Sequence, residues 1–277
     1  MTEPVVMLVD NGSTRAASTL SLRGIAARLS DVSGEKVHPV SLKHADRIGV
    51  EQLGGQPAAV FARFVRQHIE AGQHEFLIVP LFFGKSRALT SFIPEQIEAL
   101  SQVHGQMRVR QADVLVPLPA GEGRLGDILA AHALQCGESL GKHPDRVVVV
   151  DHGSPIPQVT AVREFAVGAL HERLPEDMPI DQAVMERREG PEYDFNGELL
   201  EDLLDRIGEQ QPHPHIALAM MFLSPGRHAG AGGDIAEICA AAMARRPGLK
   251  VAISPLIGEH PLLIDILHDR LRAALAG

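Results

Sequence analysis

The chain has 277 residues, of which 45% are hydrophobic and 22% are charged, as expected for a soluble globular protein with one large or two modest domains. Its formal net charge of -9 argues against nucleic acid or an anionic membrane as the main partner, because both favour a basic surface. No apolar run approaches the roughly 18 residues of a membrane span and no signal-peptide pattern is present, so a cytoplasmic location is expected.

The first half of the sequence alternates strand patterns with helix patterns. Its strands are apolar or β-branched runs, and its helices have apolar residues at helical spacing. Because strands that alternate with helices usually pair in parallel, we predict a parallel sheet covered by helices. The predicted order is a strand at Val5–Asp10, a helix ending at Leu29, a strand at 36–42, a helix at Pro57–Ala71, a strand at Glu75–Phe83, a helix at Pro94–Val103, a strand within 107–117 and a helix at Arg124–Gln135.

The second half repeats this order after a break near Gly141. It opens with VVVVD, whose β-branched residues suit a strand buried on both faces. The predicted elements are a strand at 147–151, a helix at Gln158–Leu170, a strand near Ala183, a helix at Leu199–Ile207, a strand at Ile216–Leu223, a helix at Asp234–Arg245, a strand at 249–256 and a helix at Pro261–Leu275.

The repetition extends to the residues themselves. LVDNGS at 8–13 aligns with VVDHGS at 149–154, LFFGKS at 81–86 with LSPGRH at 223–228, FIPE at 92–95 with DIAE at 234–237, and PLPAGEGRLGDIL at 117–129 with PLIGEHPLLIDIL at 255–267. Such agreement at nearly constant offset indicates an internal duplication. We predict an α/β protein of two similar domains, 1–141 and 142–277, each with a parallel sheet of about four strands in flavodoxin-like layers.

Two histidines follow predicted strands in the second half only. His152 follows VVVVD and His228 follows the strand IALAMMFL, so both are predicted at the carboxyl edge of one sheet, where open α/β folds bind ligands. The aligned residues of the first half are Asn11 and Ser86. Since neutral imidazole binds divalent metal ions and accepts a proton near neutral pH, the pair predicts a metal or proton-transfer site in the second half.

Other polar residues near this edge are weaker candidates. Asp151 could orient the neighbouring imidazole or lie buried at the strand end, and Gly153 and Ser154 are expected to shape the turn and cap the next helix. Arg227 could meet a ligand carboxylate or be a solvated charge.

The segment VMERREGPEYDFN places two carboxylates, Glu186 and Glu189, near the same edge, and either could complete a metal or proton-relay site. His260 begins the last helix and is a weaker candidate. The two cysteines, Cys136 and Cys239, form no CxxC pair and are expected to be buried thiols.

Two nucleotide-binding motifs are incomplete. GKS at 84–86 lacks the earlier glycine that a P-loop requires. GEGRLG at 121–126 fits GxGxxG between a strand and a helix, but the expected acidic residue does not close the next strand. A nucleotide-dependent oxidoreductase therefore stays a minor alternative.

DHGS after a buried strand, PGRHAGAGGDI in a second loop and PLIGEHPLL near the end together resemble the class II tetrapyrrole chelatases of the CbiX and SirB type, the sirohydrochlorin cobaltochelatases and ferrochelatases. The first half, with PLFFGKSRALTSFIPE and VPLPAGEG, resembles the companion half of the long two-domain members. The resemblance therefore covers the whole chain.

The resemblance implies a lyase that inserts Co²⁺ or Fe²⁺, with Ni²⁺ possible, into sirohydrochlorin or a related tetrapyrrole for cobalamin or siroheme biosynthesis, without ATP. It implies His152 and His228 as the catalytic, metal-binding pair, Glu186 as an acidic helper, and no cofactor beyond the metal substrate. Because the macrocycle carries many carboxylates, Lys85, Arg87 and Arg227 are candidate basic groups. A non-catalytic carrier of the metal or the tetrapyrrole is the alternative.

Overall fold

The computed structural model describes residues 3–277, which form eight strands and eight α-helices in alternation. The strands are β1 Val5–Asp10, β2 Val37–Ser41, β3 Glu75–Pro80, β4 Arg108–Gln111, β5 Arg146–Asp151, β6 Ile180–Val184, β7 His215–Met220 and β8 Lys250–Ile253. The helices are α1 Ala16–Ser33, α2 Phe61–Glu70, α3 Ile93–His104, α4 Arg124–Leu140, α5 Pro157–His171, α6 Leu200–Gln210, α7 Asp234–Arg245 and α8 Leu262–Ala276.

The strands form two separate four-stranded parallel sheets with the same topology. The strand orders are β2-β1-β3-β4 and β6-β5-β7-β8. The two central strands of each sheet, β1 and β3 in one and β5 and β7 in the other, are almost fully buried, because helices cover both faces of each sheet. The predicted α/β class with two parallel sheets is confirmed.

The chain divides into two compact units. Among the described residues, the first unit comprises 3–120 and 261–277, and the second unit comprises Gly121–His260. Thus α8 packs against α1 and β3 in the first unit, whereas α4 packs against α5, β7 and β8 in the second. The domain boundary predicted near Gly141 marks the start of the sequence repeat. The compact units divide the chain at other residues and do not test this boundary, which stays a prediction.

Contacts with α5 explain two glycines of the GEGRLG motif. A Cβ atom at Gly126 would lie 2.7 Å from the backbone oxygen of Ala169, so only glycine permits this close approach of the two helices. A Cβ atom at Gly121 would lie 2.2 Å from the Phe165 ring. These two glycines therefore serve helix packing, which removes the reason to read them as a dinucleotide-binding loop.

Some predicted boundaries differ from the observed ones. Helix α2 begins at Phe61 instead of Pro57, because Ala59 and Val60 run extended beside β2, where the N–H of Ser41 donates to the oxygen of Ala59 at 3.0 Å. A turn of π-helix at Ala88–Phe92 precedes α3. No helix within residues 3–277 is both long and apolar enough to cross a membrane.

Candidate active site

The loop after β5 and the loop after β6 run side by side in the second unit. The N–H of Met185 donates to the oxygen of Asp151 at 2.9 Å, and the N–H of Glu186 donates to the oxygen of His152 at 3.2 Å. Gly153 has a φ of 87°, and a Cβ atom there would lie 2.0 Å from the oxygen of Glu186. Glycine at 153 therefore allows the close approach that sets His152 beside Glu186, with 3.4 Å between Nε2 and Oε1.

His228 lies on the loop between β7 and α7, and its backbone helps to start that helix. The N–H of Ile235 donates to the oxygen of His228 at 3.2 Å, and a Cβ atom at Gly233 would lie 2.8 Å from the same oxygen. The side chain is held as well, because its Nδ1 lies 2.7 Å from Oδ2 of Asp234. This contact engages Nδ1 and leaves Nε2 as the other ring nitrogen for a ligand.

The structure brings the two predicted histidines together. The ring centres of His152 and His228 are 4.8 Å apart, and the rings are inclined by 80°. Two imidazole nitrogens about 2.0–2.1 Å from a tetrahedral ion would place the ring centres about 5 Å apart. The observed spacing therefore fits one metal ion bound between the two rings, with the Glu186 carboxylate beside it.

Asp151 lies buried at the end of β5, where it supports the loop. Its Oδ1 accepts from Nη1 of Arg163 at 2.7 Å and from the N–H of Gly153 at 3.0 Å. Burial raises the pKa of the Asp151 carboxyl, and the charge and hydrogen bond of Arg163 oppose this shift. Of the two roles considered from the sequence, these contacts favour the buried one.

Two residues that the sequence analysis missed complete this support. Arg163 on α5 is 2% exposed and also donates to Gln182 and to the backbone oxygen of Asn196. The amide of Asn196 accepts from the N–H of Ser154 and donates to the oxygen of Ser154, both at 2.9 Å. The sequence does contain a signal for Arg163, because an arginine on the apolar face of a predicted helix indicates a buried partner. No sequence pattern singles out Asn196.

The remaining candidates occupy less central positions. Ser154 does not cap α5, which begins at Pro157 after Ile156; instead its Oγ accepts from the N–H of Ile156 at 3.1 Å and shapes the turn. Arg227 is mostly exposed, 3.7 Å from Asp234, and Glu189 is exposed on the loop after β6. His260 does not join the pair, since its ring contacts His132.

Two arginines not singled out from the sequence border the site. A cleft of about 350 Å³ is lined by His152, Glu186, Arg187 and Arg188 together with the turn at 153–155. Arg187 is 3.3 Å from Asp194, while the Arg188 guanidinium lies 5.8 Å from the Tyr193 ring centre. The site is thus an open cleft with imidazole, carboxylate and guanidinium groups. Lys85 and Arg87, by contrast, follow β3 in the first unit.

In the first unit, the loops after β1 and β2 make the same backbone contacts as the loops after β5 and β6 and carry different side chains. The N–H of Leu42 donates to the oxygen of Asp10 at 2.9 Å, and a Cβ atom at Gly12 would lie 1.9 Å from the oxygen of Lys43. Lys43 therefore occupies the position of Glu186. Asn11 and Ser86 stand in place of the two histidines.

The fold is similar to that of solved chelatase structures. SirB from Bacillus subtilis with Fe³⁺ has a TM-score of 0.69 and 14% identity, covering 99% of this chain and 96% of that one. CbiX, the terminal enzyme for siroheme biosynthesis in denitrifying bacteria, has a TM-score of 0.61 and 16% identity, covering 98% and 99%. A multi-domain protein from Deinococcus radiodurans with structural similarity to chelatases has a TM-score of 0.59 and 17% identity, covering 96% and 53%.

The sequence also matches a family model in its second half. The model of the CbiX family matches residues 146–274, which include His152, Glu186 and His228. The predicted resemblance to the CbiX and SirB chelatases is therefore confirmed. A search of curated protein sequences found no match.

Proposed function

We propose that this protein is a lyase that inserts Co²⁺ or Fe²⁺ into sirohydrochlorin or a related tetrapyrrole without hydrolysing a nucleotide. The observation that carries the proposal is the His152 and His228 pair, with ring centres 4.8 Å apart beside Glu186 within the residues that the CbiX family model matches. The names of two similar proteins support a metal ion and a tetrapyrrole: SirB is described with Fe³⁺, and CbiX as the terminal enzyme of siroheme biosynthesis.

The two imidazoles would hold the metal substrate while leaving most of its coordination positions open. Among residues 3–277, no three His, Cys, Asp or Glu side chains form a group that could hold an ion. A closed set of four protein ligands is typical of structural sites, whereas an ion that must be passed on needs exchangeable positions. The small ligand set therefore fits an ion that is passed on, which both a chelatase and the alternative, a non-catalytic carrier, require.

The reaction also requires acceptors for two protons. As the ion forms bonds to the macrocycle nitrogens, two pyrrole N–H protons leave, so the site must supply bases close to the metal. Glu186 lies 3.4 Å from His152 and is one acceptor. Asp234, 2.7 Å from Nδ1 of His228, orients that ring and stabilises a positive charge on it.

The proposed substrate carries several carboxylates. Because the chain has a net negative charge, positively charged side chains near the site must attract them. Arg187 and Arg188 line the cleft with His152 and Glu186, and guanidinium groups pair with carboxylates in a two-bonded geometry. We assign them to the rim of the macrocycle, together with the exposed Arg227.

The direct test is to mix the purified chain with sirohydrochlorin and Co²⁺ or Fe²⁺ under anaerobic conditions and to follow the absorbance of the macrocycle. The proposal predicts insertion well above the spontaneous rate, with no effect of added ATP. Insertion at the spontaneous rate overturns it. Tight binding of metal or macrocycle without turnover would identify a carrier, and NADH binding that Gly123→Val abolishes would identify an oxidoreductase.

A further inference from the structure

A second pair of imidazoles lies in the second unit, away from the cleft. His132 on α4 is only 4% exposed, and its Nδ1 is buried without a hydrogen-bond partner. A buried polar nitrogen without a hydrogen-bond partner is unfavourable. Binding of a metal ion to this nitrogen would therefore be favoured.

The partner ring belongs to His260, which follows the short turn Ile257–Glu259 after β8. The two ring centres are 5.3 Å apart, and the rings are inclined by 70°. This is close to the roughly 5 Å expected for two imidazoles on one tetrahedral ion, and it resembles the spacing of the pair in the cleft. Burial, together with the nearby His260, lowers the pKa of His132 to about 4, so its ring is neutral and able to bind a metal.

The first unit provides an internal control for this position. Arg270 on α8 aligns with His132 at the offset that aligns Asp265 with Asp127. Arg270 donates from Nε to the oxygen of Val114 and from Nη2 to the oxygen of Leu115, each at 3.0 Å. The same helix position thus carries a hydrogen-bonded arginine in one unit and a buried, unpartnered imidazole nitrogen in the other.

We propose that His132 and His260 form a second site for a first-row divalent metal ion such as Co²⁺, Ni²⁺ or Zn²⁺. Nδ1 of His132 and one ring nitrogen of His260 bind the ion, and water completes its coordination. Glu259 adds negative charge: its Oε1 accepts from the N–H of Leu256 at 3.1 Å, and its charge acts on His132. Two protein ligands give a weak site that releases its ion.

This site adjoins a pocket that also reaches the catalytic loop. Glu259 and Leu256 line an apolar pocket of about 420 Å³, and Gly230 and Ala231 line it from the loop that carries His228. An ion bound at His132 and His260 would be held within the same unit as the insertion site. The site could therefore bind a second metal ion before that ion is transferred to His152 and His228.

The test is titration of the metal-free, full-length chain with Co²⁺, followed by calorimetry and by the visible absorbance of bound Co²⁺. The proposal predicts two ions per chain. In His152→Ala/His228→Ala one ion remains, and adding His260→Ala weakens its binding at least 10-fold. His143→Ala, which changes an exposed histidine of the same unit, is the matched control and leaves the titration unchanged.

His132→Leu provides a second variant that keeps the helix apolar and removes the unpaired nitrogen. It is expected to fold and to lose the same ion as His260→Ala. The proposal is overturned if His260→Ala and His132→Leu bind as much Co²⁺ as their parents, or if the wild type binds one ion that His152→Ala/His228→Ala abolishes. Neither result depends on insertion activity, so failure here is distinguishable from failure of the proposed function.

Discussion

The loops after β1 and β2 make the same backbone contacts as the loops after β5 and β6, but the two units carry different side chains there. The loops after β3 and β7 also differ in backbone, because Ala88–Phe92 form a turn of π-helix and the aligned residues do not. The second unit places His152, Glu186 and His228 together, whereas the first has Asn11, Lys43 and Ser86 at the aligned positions. At these aligned positions, the two imidazoles and the carboxylate are found in the second unit and not in the first.

The buried support beneath the loops differs in the same way. Asp151 is paired with Arg163, but the aligned Asp10 has an Oδ1 without a partner, and Leu22 is the residue aligned with Arg163. Burial raises the pKa of Asp10 to about 6, while hydrogen bonds from Ser41 and the Gly12 N–H lower it less. The loop that carries His152 is therefore held by a buried ion pair, and the aligned loop of the first unit is not.

The largest effect is expected at the histidines. His152→Ala and His228→Ala each remove one metal ligand and one potential proton acceptor, and each should slow insertion at least about 100-fold. Asn11→Ala and Ser86→Ala change the aligned residues of the first unit and should leave the rate within about twofold, since neither Asn11 nor Ser86 carries an imidazole. Single-turnover insertion measures all four, and equal losses in both units would contradict the comparison.

The ion pair beneath the His152 loop should dominate stability. Arg163→Met leaves the buried Asp151 carboxylate uncompensated and is expected to lower the free energy of unfolding by about 3–5 kcal/mol. Adding Asp151→Asn should recover part of this loss. Urea denaturation at pH 7 measures these losses. Arg245→Met is the control: it breaks exposed ion pairs and should change the free energy of unfolding little. Equal losses for Arg163→Met and the control would refute the role assigned to the buried pair.

Asp10 should make the chain less stable as the pH rises. Its folded-state pKa of about 6 lies above the unfolded value of 3.8, so the unfolded chain releases this proton first. The free energy of unfolding therefore falls by about 3 kcal/mol as the pH rises from 4 through 6. Asp10→Asn should remove this contribution, which urea denaturation from pH 4 to 8 would detect. An unchanged pH profile would show that Asp10 is not buried as a carboxyl.

The smallest effect is expected at the positioning residue Asp234. Asp234→Asn keeps the shape of the side chain but removes the charge that orients the His228 ring, and insertion should slow by about 10- to 100-fold. Asp202→Asn, in the exposed first turn of α6, is the matched control. A purely structural role would instead lower the melting temperature of Asp234→Asn without changing the insertion rate of the folded protein.

The sequence predicted the parts of this account that depend on periodicity and repetition. Apolar strands alternating with amphipathic helices gave the two parallel sheets, and the repeat distinguished His152 and His228 from their counterparts. Arg163 and Asn196 escaped notice because their contacts join distant segments, with the side chain of Asn196 bonded to Ser154 across 42 positions. The pairing of α4 with α5 likewise depends on tertiary packing that no local pattern encodes.

The most direct measurement is single-turnover metal insertion into sirohydrochlorin by His152→Asn/His228→Ser, which gives the second unit the residues of the first. The account predicts insertion at the spontaneous rate by a chain that still folds. It also predicts that adding Asn11→His and Ser86→His restores nothing, because Lys43 replaces the carboxylate of Glu186. Insertion at the wild-type rate by His152→Asn/His228→Ser would contradict the assignment of the reaction to the histidine pair.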